Sequence, residues 1–187
     1  EQLVSGFGEI LKHGLIKNHD YFYWMNTHYQ EILDLDYEIL EEMIYESCVI
    51  KRDVVERDPK EKGERALLNF GHTIGHAVEK LSNFGLSHGV CVGLGTVAAT
   101  YLSFLHGNIP ESDLQYIEET LQHFGLKIRV SGYDATEVLK TTKLDKKMVG
   151  NKIKFILLQN VGNAYIDTGL SDEDILKGIQ YIMSENV

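Results

Sequence analysis

A chain of 187 residues is long enough for one well-buried core with at most a small satellite. Its 43% hydrophobic and 25% charged content is ordinary for a globular protein and excludes bulk disorder. The formal net charge of -10 counts against a nucleic-acid surface, which needs clustered cations facing phosphates, yet permits a locally basic pocket for a small anion.

In chain order, Leu3, Phe7, Ile10, Leu11 and Leu15 approximate helical spacing and predict a first helix over 3–16, crossed by Gly6 and Gly8. Starting directly in a patterned segment fits a domain entered from an upstream one or cut at a boundary. The aromatic run Tyr21 to Trp24 predicts a short helix packed on the core. Asp36 is positioned to cap a long helix reaching about Glu56, with Ile39, Leu40, Met43, Ile44, Cys48 and Ile50 as its apolar face. Asp58-Pro59 breaks it, and a charged turn from Lys60 to Glu64 follows.

A central helix is predicted over 65–81, a short loop over 82–87, and an apolar helix over 88–105. Gly89, Gly93 and Gly95 lower the intrinsic stability of that last helix, so they predict close helix packing or a close ligand. Further helices are expected from Pro110 to near Gly125, over 134–139, and over 171–183 with Ser171 at an acidic start. The strongest strand signal is 152–158 and 164–168, joined through Val161-Gly162-Asn163 as a hairpin. The fold class is therefore mainly α, a multi-helix domain with a small β hairpin.

Cys48 and Cys91 lie far apart in apolar helical patterns and read as buried thiols rather than a disulfide or a cysteine metal site. No run approaches the roughly 18 consecutive apolar residues of a membrane span. The opening residues have neither the basic flank nor the apolar run of a signal peptide. These features predict a cytoplasmic protein with no membrane and no nucleic-acid partner.

The most informative stretch runs from Leu67 to Ala77. His72 and His76 are four positions apart, so a helix sets them on one face. His88 opens the next helix, and Glu9 lies on the first. Two neutral imidazoles and a carboxylate can bind zinc and leave a position for water or substrate. Thr73 follows His72, so this is not the His-Glu-x-x-His motif. Histidine pairs at this spacing also serve as ordinary helix surface or core groups, and spacing alone leaves both readings open.

Several dispersed segments narrow the choice. The stretch Arg65-Ala66-Leu67-Leu68-Asn69-Phe70-Gly71-His72-Thr73-Ile74-Gly75-His76-Ala77 resembles the characteristic segment of the 3-dehydroquinate synthase family. So do Gly8 to Gly14, Lys51 to Val55 followed by Asp58 and Glu61, His88-Gly89, and Asp145-Lys146-Lys147, in the family's order and approximate spacing. The resemblance covers the C-terminal domain of that enzyme. It implies Glu9, His72 and His88 as ligands of a divalent metal, zinc or sometimes cobalt. It also implies Lys12, Lys51, Glu61, Arg65, Asn69 and His76 as substrate-site residues, with Lys146 or Lys147 beside them and Lys146 favoured. Of these, Lys12, Lys51, Asn69 and His76 are the catalytic candidates. Gly8 stands where the family often has alanine, a small change expected to preserve ligation, though glycine could loosen the local helix.

The activity implied by the resemblance converts 3-deoxy-arabino-heptulosonate 7-phosphate, a sugar phosphate, to 3-dehydroquinate and phosphate, with NAD regenerated in each turnover. Within the chain, Gly6-Phe7-Gly8 is too weak for a dinucleotide fingerprint and no suitable strand precedes it. NAD contacts are therefore expected mainly from an N-terminal domain outside these residues, and the complete enzyme is expected to be a homodimer. Another sugar phosphate cyclase is the nearest rival, and a non-catalytic metal- or partner-binding domain the more distant one.

Overall fold

The computed structural model describes residues 2–61, 63–83, 85–145 and 153–183. Among them are nine α-helices, one 3-10 helix and one antiparallel hairpin. Helix α1, Gln2–Lys17, buries Phe7 and Gly8 on one face and then every residue from Leu11 to Ile16, so its second half lies enclosed in the core. Phe7 meets Phe124 edge to face with centroids 4.9 Å apart. Helix α2, His19–Thr27, is capped by Asn18, whose side chain accepts from the Tyr21 amide. Tyr21 and Phe22 pack in the core, whereas Tyr23 and Trp24 lie nearer the surface.

The short α3, Tyr29–Leu33, leads to α4, Tyr37–Arg57, which Asp36 caps by accepting from the amides of Glu38 and Ile39. Its buried positions are Met43, Ser47, Ile50 and Val54. That corrects the expected face: Ile44 is 51% exposed, and Cys48 is exposed rather than a buried thiol. The physical reason is a polar residue on the inner face. Ser47 is buried with His13 Nδ1 2.8 Å from its hydroxyl oxygen, so the stripe keeps Met43 and Ile50 but passes through Ser47 in place of Ile44 and Cys48.

The helix expected over 65–81 is two elements. A 3-10 helix spans Glu64–Asn69, and α5 begins only at His72 and runs to Leu81. Gly71 between them has φ +77, a left-handed conformation open to glycine. A Cβ there would fall 2.6 Å from Thr96 Oγ1 and 2.7 Å from the Val92 carbonyl oxygen, so tertiary packing also demands its absence.

Helix α6, His88–Leu105, is the central element, with α1, α5, α7 and α9 around it. By length and composition alone it could cross a membrane, but 72% of it is buried inside the fold. Its glycines divide. A Cβ on Gly95 would sit 1.8 Å from the Gly71 carbonyl oxygen, and one on Gly89 would sit 1.9 Å from that of Ser5. At Gly93 the nearest atom would be a Leu126 methyl at 3.5 Å, an ordinary contact, so that glycine is not explained by close packing.

Helix α7, Glu111–His123, follows Pro110. Helix α8, Ala135–Asp145, extends past the expected end at Leu139, with Asp134 accepting from the Glu137 amide at its start. Strands β1, Phe155–Asn160, and β2, Asn163–Asp167, pair antiparallel with Phe155 opposite Asp167. The turn between them is shorter than expected, since Asn160 pairs with Asn163. The outer edge of β1 does not face water unpaired: the Leu158 amide donates to Ser103 Oγ at 2.9 Å, and its carbonyl accepts from Asn108 Nδ2 at 3.1 Å. Helix α9, Asp172–Met183, begins with Ser171 Oγ accepting from the Asp174 amide. The overall architecture matches the expected mainly α domain with a small hairpin.

Candidate metal centre and substrate pocket

Helices α1, α5 and α6 bring Glu9, His72, His76 and His88 together. The backbones of α1 and α6 touch one residue from the two ligand candidates, since a Cβ on Gly8 would fall 2.4 Å from the Gly89 carbonyl oxygen. Gly8 therefore closes the packing. Helix α1 runs unbroken through Gly8.

The Glu9 carboxylate is divided between two tasks. Its Oε2 accepts from Lys12 Nζ at 2.7 Å. Its Oε1 is buried and has no hydrogen-bond partner among the described residues. Around that oxygen stand His72 Nε2 at 3.4 Å and His88 Nε2 at 3.6 Å. Burial would push the Glu9 carboxyl up, but the charge and hydrogen bond of Lys12, with His72 and His88, outweigh it and hold the group below its ordinary 4.5. Burial likewise lowers Lys12, opposed by Glu9.

His72 is only 12% exposed, and its Nδ1 lies 3.0 Å from the Phe70 carbonyl oxygen. Burial, with the nearby Lys12 charge, brings its pKa down to about 4, so the ring is neutral at neutral pH. An Nδ1–H given to the carbonyl leaves the Nε2 lone pair towards Glu9. Donor atoms of His72, His76 and His88 all lie within 4.8 Å of one another. An orphaned carboxylate oxygen beside neutral imidazoles is the donor set that suits a zinc-like ion. Cys91 is buried, and burial together with the charge of Glu79 raises its thiol to about 12, which disfavours the thiolate a metal would need.

A cavity of about 230 Å³ adjoins this corner, lined by Glu9, Lys12, His13, Lys51, Glu61, Arg65, Leu68, Asn69 and His72. Seven residues singled out for substrate or metal from the sequence thus share it with His13 and Leu68, to which sequence reasoning gave no role. His13 is buried and its pKa is brought down to about 4, chiefly by burial and then by Lys12. Its motif was visible, but its burial depends on Ser47, which lies far away in sequence. Lys12 is 2% exposed and engaged with Glu9, while Lys51 stands exposed at the mouth.

The rim is tied down locally. Asp58 accepts from the amides of Gly63 at 2.8 Å and Arg65 at 3.0 Å, and Arg65 Nη1 donates to the Pro59 carbonyl at 3.0 Å. Asn69 Nδ2 donates to Glu61 Oε1 at 3.3 Å. Glu64 pairs with both Lys17 and Arg57, joining α1, α4 and the 3-10 helix around the cavity. Lys146 and Lys147 lie outside the described residues. A second, larger hollow of about 800 Å³ follows the outer face of α4 between Tyr37 and Tyr45, away from the imidazoles.

Comparison with known proteins bears on this arrangement. Residues 6–148 match the family described as 3-dehydroquinate synthase C-terminal, and the chain belongs to that family. It is 38% identical over 178 residues to a 3-dehydroquinate synthase of Acetivibrio thermocellus, covering 95% of this chain and 49% of that protein. It is 40% identical over 166 residues to one of Halalkalibacterium halodurans, covering 87% and 45%. The chain thus spans about half the length of the curated relatives it matches. Among solved structures it is similar to a 2-epi-5-epi-valiolone synthase from Streptomyces hygroscopicus with NAD+ and Zn2+ bound, with a TM-score of 0.87 at 18% identity, covering 96% of this chain and 51% of that one. A 2-deoxy-scyllo-inosose synthase complexed with carbaglucose-6-phosphate, NAD+ and Co2+ aligns with a TM-score of 0.80 at 22% identity, covering 97% and 52%. At those identities the likeness establishes the fold.

Proposed function

We propose that this chain is the metal- and substrate-binding half of an enzyme that converts 3-deoxy-arabino-heptulosonate 7-phosphate to 3-dehydroquinate and phosphate, a carbon–oxygen lyase of the shikimate pathway acting in the cytoplasm. The observation that carries the reading is the buried, unpartnered Oε1 of Glu9 facing the Nε2 atoms of His72 and His88 beside a cavity lined by Lys12, Lys51 and Arg65.

Glu9, His72 and His88 would hold a divalent ion, zinc or cobalt, which when bound supplies Lewis-acid stabilisation of oxygen charge on neighbouring hydroxyls. NAD, bound mainly by an N-terminal domain outside these residues, supplies reversible hydride acceptance. The remaining work belongs to this chain's side chains. Lys51 and Arg65 anchor the substrate carboxylate; a guanidinium has five donors in a fixed fork, and the Pro59 carbonyl engages one of its nitrogens. Lys12 and Glu61 address the hydroxyl-bearing ring. Asn69 and His76, with Lys146 or Lys147, hold the phosphate, and the phosphate itself can take the proton during elimination. The acidic chain thus gathers Lys12, Lys51 and Arg65 at one cavity, where they would meet an anionic substrate. The complete enzyme is taken to be a homodimer, as its family implies.

The test is NAD- and zinc-dependent phosphate release from 3-deoxy-arabino-heptulosonate 7-phosphate by the complete natural chain containing these residues. Release with formation of 3-dehydroquinate is the expected result. A folded, zinc-loaded enzyme with NAD that releases none overturns the assignment. Turnover of a sugar phosphate lacking the carboxylate would instead favour a related cyclase, the reading suggested by the fold of the valiolone and inosose synthases.

A further inference from the structure

We infer that Glu79, through its contact with His88, is a positioning residue of the metal centre that fixes the tautomer and ring orientation of that ligand. The inference rests on the metal-site reading above and adds a residue that neither the motif nor the pocket contains.

Glu79 lies on α5 three residues beyond His76, with its side chain only 17% exposed. Its Oε2 is 3.2 Å from His88 Nδ1. The other nitrogen of the same ring, Nε2, is 3.6 Å from Glu9 Oε1. The imidazole therefore lies between two carboxylates, within hydrogen-bond distance of Glu79 at Nδ1 and facing Glu9 without a hydrogen bond at Nε2. An Nδ1–H donated to Glu79 puts the ring proton on that side and leaves the Nε2 lone pair to face Glu9, the form a metal ligand requires.

The need for such a partner differs between the two histidines. His72 is enclosed, and the Phe70 carbonyl holds its Nδ1. His88 is 44% exposed and is the first residue of α6, directly after the 82–87 connection. Packing does little to limit rotation of a ring so placed, so the bond to Glu79 takes over the work that burial does for His72. Glu79 approaches from the Nδ1 side while Glu9 faces Nε2, which makes it a support for the ligand.

The test is zinc affinity of the complete natural chain, measured by competition with a chelator, for wild type, Glu79→Gln and Glu79→Ala, each with the melting temperature of the metal-free form. Glu79→Ala is expected to weaken zinc by about 10–100-fold, the range for loss of an outer partner of a histidine ligand, with an unchanged metal-free melting temperature. Glu79→Gln, which keeps an acceptor and the shape, is expected to lose less, and it decides the matter should the alanine variant fail to fold. In a His88→Ala background, Glu79→Ala is expected to have no further effect. Wild-type affinity in both single variants, or an equal loss with and without His88, would overturn the inference. A folded wild type that binds no zinc would instead overturn the metal-site reading, a separable outcome.

Discussion

The metal corner and the substrate rim of the same cavity are built by opposite means. The corner mounts Glu9, His72 and His88 on long helices whose backbones touch, and supports both histidines at Nδ1. The rim hangs Glu61, Arg65 and Asn69 on a turn and a 3-10 helix, tied by Asp58 and by each other. An ion tolerates little error in ligand distance, and on the proposed reading packing preorganises its ligands. The proposed substrate, a flexible polyol with a phosphate and a carboxylate, would need donors with reach, which short local bonds provide.

If that contrast is right, changes at the corner should abolish binding and changes at the rim should grade it. His72→Ala is expected to reduce zinc affinity by more than about 100-fold, beyond the usual effect of losing an outer-shell partner. Metal content after dialysis measures this, and retained zinc would break the comparison. Gly95→Ala drives a methyl into the Gly71 backbone and should destabilise by about 3 kcal/mol, near the upper end for overpacking, because a main-chain atom cannot move aside as a side chain can. Urea melts would register it, and a neutral result would mean that α5 and α6 can slide.

His13 joins the two regions and gives a pH signature. Its folded pKa of about 4 lies below the ordinary 6.5, so between those values the unfolded chain takes up a proton that the folded chain refuses. Stability falls as pH drops through that window, and His13 accounts for about 3 kcal/mol of the loss by its lower end. His13→Gln should flatten the decline between pH 6.5 and 4 in urea melts; an unchanged slope would show that His13 does not carry it. The smallest effect is at the rim. Arg65→Ala is expected to raise KM for the heptulosonate about tenfold, roughly 1.4 kcal/mol, with metal content unchanged. Loss of zinc in that variant would show that rim and corner are not separable.

Much of this was legible in the sequence because it is local. Helix α1, the cap at Asp36, α6 from His88 onward and the hairpin follow from periodicity and turn chemistry. The metal candidates came from a motif, and the structure brings them together. What escaped depends on partners distant in the chain. The break at Gly71 is enforced by Thr96 and Val92 on another helix. The buried stripe of α4 was misread because Ser47 looks like a surface residue until His13 is set against it. Glu79 sits just past the recognised motif, and its partner His88 comes nine positions later in sequence, across a connection whose path no pattern specifies.

The touching backbones at Gly8 and Gly89 have a consequence of their own. They work as a caliper: at this crossing the gap between the helix bearing Glu9 and the helix bearing His88 is set by main-chain atoms in contact, with no side chain between them. Widening the gap takes a methyl group at one of these two positions, and it would widen beside the ligand pair. On the proposed metal-site reading, the spacing between two ligand residues is thereby delegated to two glycines outside the ligand set.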